Sequence, residues 1–317
     1  MKHRTIYHRT CPDADSGLQS LIAGLLAPHA AIPPKYFYDE LGCALYLAIC
    51  QLPEYYVTRT ETTIFNDNRA EIAETAGTNK QLIDLGAGDC RKAAGWFPFL
   101  EPSRYIAVDV AEEHLNQSLE RLSSEFPNTE MVGIVTDFSD SMNLDNDVGT
   151  EPTTFFYPGS SIGNFAPASA LQMLRRIRLY CHRPTSGLLI GVDTKKNPSR
   201  LEAAYADSLG VTASFNLNVL NHVNRLIGSD FDIAKFRHIA LYNESLGRVE
   251  MHLEATVNCL VHIGDDSRHF LAGERIHTEN SYKYAPAEFE SLLLEAGFSS
   301  VSCWQDRAKD FSVFYAE

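Results

Sequence analysis

Two glycines set one residue apart, Gly86 and Gly88, lie in Ile83-Asp84-Leu85-Gly86-Ala87-Gly88-Asp89, between an apolar run and a helix-forming segment. Glycines there permit a tight turn and let backbone amides approach a ligand at a helix N-terminus. Some twenty residues on, Asp109 ends a second run, Tyr105-Ile106-Ala107-Val108-Asp109. An acidic side chain at that spacing can accept two hydrogen bonds from a ribose diol. The third glycine of Gly-x-Gly-x-x-Gly is missing, and Arg91 stands in its place. A dinucleotide site needs that glycine so that the helix packs close beneath a pyrophosphate. The loop with Asp109 therefore favours S-adenosylmethionine, which has no phosphate, over NAD. Taken alone, the same residues also fit an ordinary βα turn followed by a solvated Asp. Asp137-Phe138 follows a third run. At the carboxyl end of a parallel strand the Asp can accept from an adenine amine and the Phe can cover the ring, though a solvated Asp beside a core Phe fits equally well.

These residues need a sheet whose strand ends converge. From residue 81 short β-rich runs (82–85, 105–110, 131–136, 154–157, 187–192) alternate with segments long enough for a crossover helix, clearest at 112–126 and 167–181. That alternation predicts an α/β fold with a doubly wound, mostly parallel sheet. After Asp193 the pattern changes: 199–230 reads as helical, and 248–262 as a long strand or hairpin. At 285–317 a helix and two strands return, predicting an antiparallel C-terminal hairpin at the sheet edge. Ahead of the sheet lie a short amphipathic helix at 15–30 and an aromatic-rich stretch at 35–60 broken by prolines.

The 317 residues suit two structural units, or one domain with a large insertion. Hydrophobic residues make up 44% and charged residues 21%, a globular composition that argues against disorder. Against 27 Lys and Arg stand 41 Asp and Glu, a net charge of −14. Such a chain repels phosphate backbones and anionic lipid, so neither nucleic acid nor a membrane is an expected partner, whereas cationic or zwitterionic small molecules are compatible with it. Residues 1–10 have no apolar core behind their basic residues, and 21–27 is too short to cross a bilayer. The seven cysteines form no Cys-x-x-Cys. Reduced, mostly buried thiols in a cytoplasmic protein are expected, and the eleven histidines show no ligand spacing, so no metal is expected.

Asp84–Asp89, with Leu293-Leu294-Glu295-Ala296-Gly297-Phe298 before the terminal hairpin, resembles the class I S-adenosylmethionine-dependent methyltransferases. Tyr36-Phe37-Tyr38-Asp39, Leu52-Pro53-Glu54-Tyr55-Tyr56, Pro158-Gly159-Ser160-Ser161-Ile162-Gly163-Asn164 and Thr278-Glu279-Asn280-Ser281 resemble, in order and over nearly the whole chain, the histidine-specific Nα-methyltransferases of ergothioneine biosynthesis. The resemblance implies trimethylation of the α-amine of L-histidine to hercynine, with S-adenosylmethionine leaving as S-adenosylhomocysteine. It implies a seven-stranded methyltransferase domain (60–195 with 285–317) and an α+β substrate domain (10–59 with 196–284), working as a monomer. Its cofactor residues fall on Gly86, Gly88, Lys92, Asp109, Asp137 and Phe138. The amino-acid clamp falls on Asn164 and Tyr205, the imidazole-reading pair on Glu279 and Ser281, and Tyr38, Tyr55, Phe215 and Met251 line the same pocket. Tyr38 and Asn164 stand as the catalytic pair. Ala87 and Asp89-Cys90-Arg91 depart somewhat from the family pattern.

The residue types suit those roles. An amide such as Asn164 offers donor and acceptor together, as a zwitterion requires, although a turn Asn commonly satisfies its own backbone. Glu279 and Ser281 lie two residues apart, on one side of an extended segment, and supply an acceptor for an imidazole N–H and a hydroxyl for the other nitrogen. An exposed strand-edge Glu is the plainer alternative. Tyr38, Tyr55, Tyr205 and Phe215 can form an aromatic wall that attracts a quaternary ammonium, or can be core residues, and Met251 can be plain apolar filling. No dedicated general base is assigned. Other acceptors (tryptophan, an indole precursor, a modified histidine) and a non-catalytic cofactor or amino-acid sensor are the alternatives.

Overall fold

The computed structural model describes residues 4–8, 14–138 and 142–317. Thirteen strands run along the described chain: β1 (Arg4–His8), β2 (Gln81–Leu85), β3 (Arg104–Asp109), β4 (Glu130–Val135), β5 (Thr153–Tyr157) and β6 (Gly187–Asp193), then β7 (Phe236–Asn243), β8 (Arg248–Ala255), β9 (Cys259–Ile263), β10 (Asp266–Phe270), β11 (Arg275–Tyr282), β12 (Val301–Gln305) and β13 (Phe311–Ala316). They belong to two compact units. The first comprises Met1–Cys11, Val57–Lys195 and Lys283–Glu317, the second Pro12–Tyr56 and Lys196–Tyr282.

The first unit holds one sheet in the order β1-β4-β3-β2-β5-β6-β13-β12, parallel except for β13, which is antiparallel to both β6 and β12. Its middle strands β2, β5 and β6 are buried along their whole length. A parallel sheet covered on both faces requires that, and it is why these strands read as unbroken apolar runs rather than alternating ones. Helix Glu112–Glu125 covers its share with Leu115, Leu119 and Leu122 at helical spacing, and opens with Glu112 and Glu113 where the helix dipole favours them. Helices Pro167–Tyr180 and Pro286–Glu295 each begin at a proline, which suits the first turn because its missing N–H has no partner to lose.

The sheet has eight strands where seven are expected. The extra one is β1, which pairs in parallel with β4 along Thr5↔Val132 and Ile6↔Gly133. Opposite Ile6, Gly133 lets helix Glu112–Glu125 pack close on β4: a Cβ there would stand 2.7 Å from Leu119. A five-residue strand flanked by charged residues has too little periodicity to be seen in sequence.

The second unit contains helices Ala14–Leu26, Glu40–Ile49, Pro198–Tyr205 and Val211–Ile227, an antiparallel sheet in the order β11-β8-β7, and the hairpin β9-β10. The helical stretch expected over 199–230 is two helices. Asp207 interrupts it by accepting from the amides of Val211 (2.9 Å) and Thr212 (2.7 Å), which caps the second helix. The strand expected over 248–262 is also divided. Its first half pairs with β7 and β11, its second with β10, and Thr256 between them bonds back to the Lys235 carbonyl. Asp39 caps helix Glu40–Ile49 through the Gly42 amide (2.8 Å), accepts from Asn218 (2.7 Å) and pairs with Arg225, so one carboxylate joins this helix to Val211–Ile227.

Candidate active site

In the first unit the glycine loop leaves β2 and is held by backbone and side chain together. The amides of Gly86 and Ala87 both donate to the Val108 carbonyl (2.9 and 3.1 Å). Asp109 accepts from the Gly88 amide at 2.8 Å through one oxygen and from the Ala111 amide at 2.9 Å through the other. A carboxylate offers about four acceptor positions, so this one can shape the loop and still receive a ligand hydroxyl. Gly86 (φ +70°) and Gly88 (φ +52°) use the left-handed conformation that glycine adopts without strain. Cys90 takes it too, at +58°, and leads into the short helix Arg91–Ala94.

Phe138 stands against this loop: a Cβ on Gly86 would lie 3.9 Å from its ring, whose edge meets Tyr157 at 5.9 Å. Asp137 is half-buried just past β4, where Thr136 still pairs with Asp109. Lys92 forms a 2.6 Å ion pair with Glu61 of helix Tyr56–Asp67. Behind the loop, burial pushes the Asp84 carboxyl up to about 7, although the Tyr105 hydroxyl donates to it at 2.7 Å and Lys92 lies near; both oppose the rise. Asn164 ends the turn Ser161–Asn164 after β5 and is half-buried. The loop carrying it is pinned to β6, because the Ser160 hydroxyl accepts from the Asp193 amide at 2.9 Å.

The other expected residues come together in the second unit. Tyr205, at the end of helix Pro198–Tyr205, donates to the Ser281 hydroxyl at 2.8 Å, and its ring meets Tyr55 edge-on at 6.2 Å. Burial raises the Tyr55 hydroxyl well above its ordinary value, and the nearby Tyr46, Tyr205 and Glu279 add to the rise, so Tyr55 stays a neutral donor. Glu279 and Ser281 share one face of β11, opposite Met251 and Val249 of β8, and both are buried, Glu279 at 8% exposure. An irregularity at Thr278 sets that phase: the pairing steps from His277↔His252 to Glu279↔Met251, and the Thr278 hydroxyl bonds to the Met251 carbonyl. Phe215 stacks on Phe37 at 4.6 Å and meets Tyr38 and Tyr46 at 6.1 and 6.3 Å.

Two members of these clusters were not singled out in the sequence. Tyr46 lies against Tyr38 and Phe215 and hydrogen-bonds Tyr55. The only signal for it was the aromatic richness of 35–60. Glu61 is fully buried, and nothing in the sequence separates it from a surface helix Glu. Among the described residues no group of three His, Cys, Asp or Glu is placed to hold a metal ion.

The acidic loop residue, the glycine turn and the enclosed Glu-Ser pair are accompanied by extensive similarity to known proteins. The family model described as "Histidine-specific methyltransferase, SAM-dependent" matches residues 18–317. The histidine N-alpha-methyltransferase of Mycolicibacterium smegmatis is 36% identical over 313 residues, 96% of either chain. That of Mycobacterium tuberculosis is 34% identical over 304 residues, 94% of either chain. A more distant relative, the 4-dimethylallyltryptophan N-methyltransferase of Claviceps purpurea, is 24% identical over 327 residues, 95% of this chain and 94% of its own. With its class I methyltransferase sheet and a family match over nearly its whole length, the chain belongs to the histidine-specific, S-adenosylmethionine-dependent methyltransferases.

Proposed function

We propose that this protein transfers methyl groups from S-adenosylmethionine to the α-amine of L-histidine and carries the product to the trimethylated stage, hercynine. In this reading the first unit carries the cofactor, on Gly86, Gly88, Lys92, Asp109, Asp137 and Phe138. The second reads the acceptor with Tyr38, Tyr55, Tyr205, Phe215, Met251, Glu279 and Ser281. The observation that carries it is the enclosed pair Glu279 and Ser281, one an acceptor and the other a hydroxyl, on one buried face with Tyr205 bonded to the serine. An imidazole offers the matching N–H and second nitrogen.

In each turn the nitrogen lone pair forms the N–C bond as the C–S bond breaks, and the electron pair remains on sulfur as S-adenosylhomocysteine. Three methyl groups replace three protons, which pass to solvent. Holding the amine in line with the methyl is the main contribution, worth about 7–11 kcal/mol where the geometry is near attack. Asn164 serves as the donor–acceptor that orients the amino-acid backbone and Tyr38 as the hydroxyl beside the amine. The aromatic side chains attract the growing cationic charge at about 0.5–2 kcal/mol. The working form in this reading is a metal-free monomer in the cytoplasm.

Incubation with S-adenosylmethionine and the twenty amino acids, followed by mass spectrometry, tests this directly. A histidine product heavier by three methyl groups is expected. A methylated product of tryptophan alone would reassign the acceptor, and the Claviceps relative, named for 4-dimethylallyltryptophan, makes an indole amino acid the specific rival. Glu279→Ala is expected to raise the KM for histidine at least about tenfold while leaving S-adenosylhomocysteine affinity unchanged, because the loss of one acceptor leaves the imidazole N–H unpaired.

A further inference from the structure

Glu61 has no part in the chemistry above, yet it is fully buried in the first unit and both of its oxygens are engaged. One accepts the Lys92 ammonium at 2.6 Å, the other the Gly159 amide at 2.7 Å. The Lys92 side chain retains 34% exposure, and a Cβ on Gly159 would lie 3.6 Å from its ammonium. The fold makes space for this carboxylate. Gly191 sits inside the buried strand β6, where glycine is unfavourable, and a Cβ there would stand 2.0 Å from the Glu61 oxygen. Gly159 adopts φ +78° and begins the loop that runs to Asn164. One buried side chain thus fixes the lysine beside the glycine loop and the first residue of the Asn164 loop.

We propose that Glu61 is the positioning residue for the amino-acid end of the cofactor: it holds Lys92 so that the partly exposed ammonium presents to the carboxylate of S-adenosylmethionine. A lysine is a compact charge on a flexible stem carrying about 2 kcal/mol of rotamer entropy, and a rigid buried partner removes that cost before the ligand arrives. The inference rests on the reading of Lys92 as a cofactor residue.

The test compares two thioether ligands by calorimetry: S-adenosylhomocysteine, and 5′-methylthioadenosine, which lacks the amino-acid group. Glu61→Gln keeps an acceptor for Gly159 and removes the charge. It is expected to weaken S-adenosylhomocysteine roughly tenfold and to leave methylthioadenosine within about twofold. Equal loss for both ligands would make Glu61 merely structural, and unchanged or tighter S-adenosylhomocysteine binding would also overturn the proposal. Lys92→Met tests the underlying reading separately. If it lowers the preference for S-adenosylhomocysteine and Glu61→Gln does not, the inference fails and the Lys92 assignment stands; if neither lowers it, both fail. Should Glu61→Gln not fold, the neutral pair Glu61→Gln with Lys92→Met removes both charges together. Its ligand preference is expected to equal that of Lys92→Met alone, and a further loss would overturn the proposal.

Discussion

Asp84 is a carboxyl group buried among β-strands with one phenol for a partner, and its behaviour with pH follows from that. Its folded value near 7 lies above the ordinary 3.8. Between those limits the folded protein keeps a proton that the unfolded chain has lost, so this group's contribution is complete below 3.8 and declines as pH rises toward about 7. Asp84→Asn, which keeps an acceptor for Tyr105, is expected to remove that decline. Urea unfolding at about pH 5 and about pH 8 should show the pH-dependent loss reduced by up to about 2.7 kcal/mol. The motif around Asp84 was legible in the sequence, but its burial was not. The same holds for Asp109, whose position announced a ligand contact while its two amide bonds to the glycine loop depend on a backbone conformation that composition does not reveal. Glu61 shows the limit most clearly, because a glutamate on a polar helix becomes a buried anchor only once Gly191 is packed beneath it.

Between elements, Asp39 joins two helices of the second unit and stands next to Tyr38. Asp39→Ala removes a cap and leaves Asn218 without this partner. A loss of about 1–2 kcal/mol in denaturant unfolding is expected, together with a raised KM for histidine. Such a cap is readable in Asp39-Glu40, and the proline starts at Pro167, Pro198 and Pro286 are equally plain. The phase of β11 is not. Alternation from buried Ile276 would turn Thr278 and Asn280 inward, and only the shift at Thr278 brings Glu279 and Ser281 to that face. The sequence placed those two on a common side, but which side is decided by pairing with β8. Strand β1 is not legible for a related reason, since its place is set by pairing with β4 more than a hundred residues along the chain.

Over the whole molecule the chain passes between its two units at residues 56–57, 195–196 and 282–283, besides 11–12. Close to two of these passages, Asp193 and Lys283 form an ion pair at 2.8 Å with neither side chain exposed. Removing one partner takes this ion pair from a charge that stays in the interior, so Lys283→Met is expected to cost about 3–5 kcal/mol. Asp193→Asn combined with Lys283→Met should recover most of that loss, as measured by guanidinium unfolding. The alternating strands and helices that build the parallel sheet were legible because each is long and apolar. A pair of charges joined across ninety residues of sequence was not, since no local pattern marks them as partners.

The division into units also bears on how such a protein changes over generations. The residues proposed to read the imidazole, Glu279 and Ser281, lie on one unit, whereas the glycine loop and Asn164 lie on the other. Drift at the side-chain reader can therefore alter diet without disturbing the methyl supply. A lineage can try new amino acids at little risk to the donor half, and relatives named for histidine and for a prenylated tryptophan are the kind of descendants that arrangement would leave.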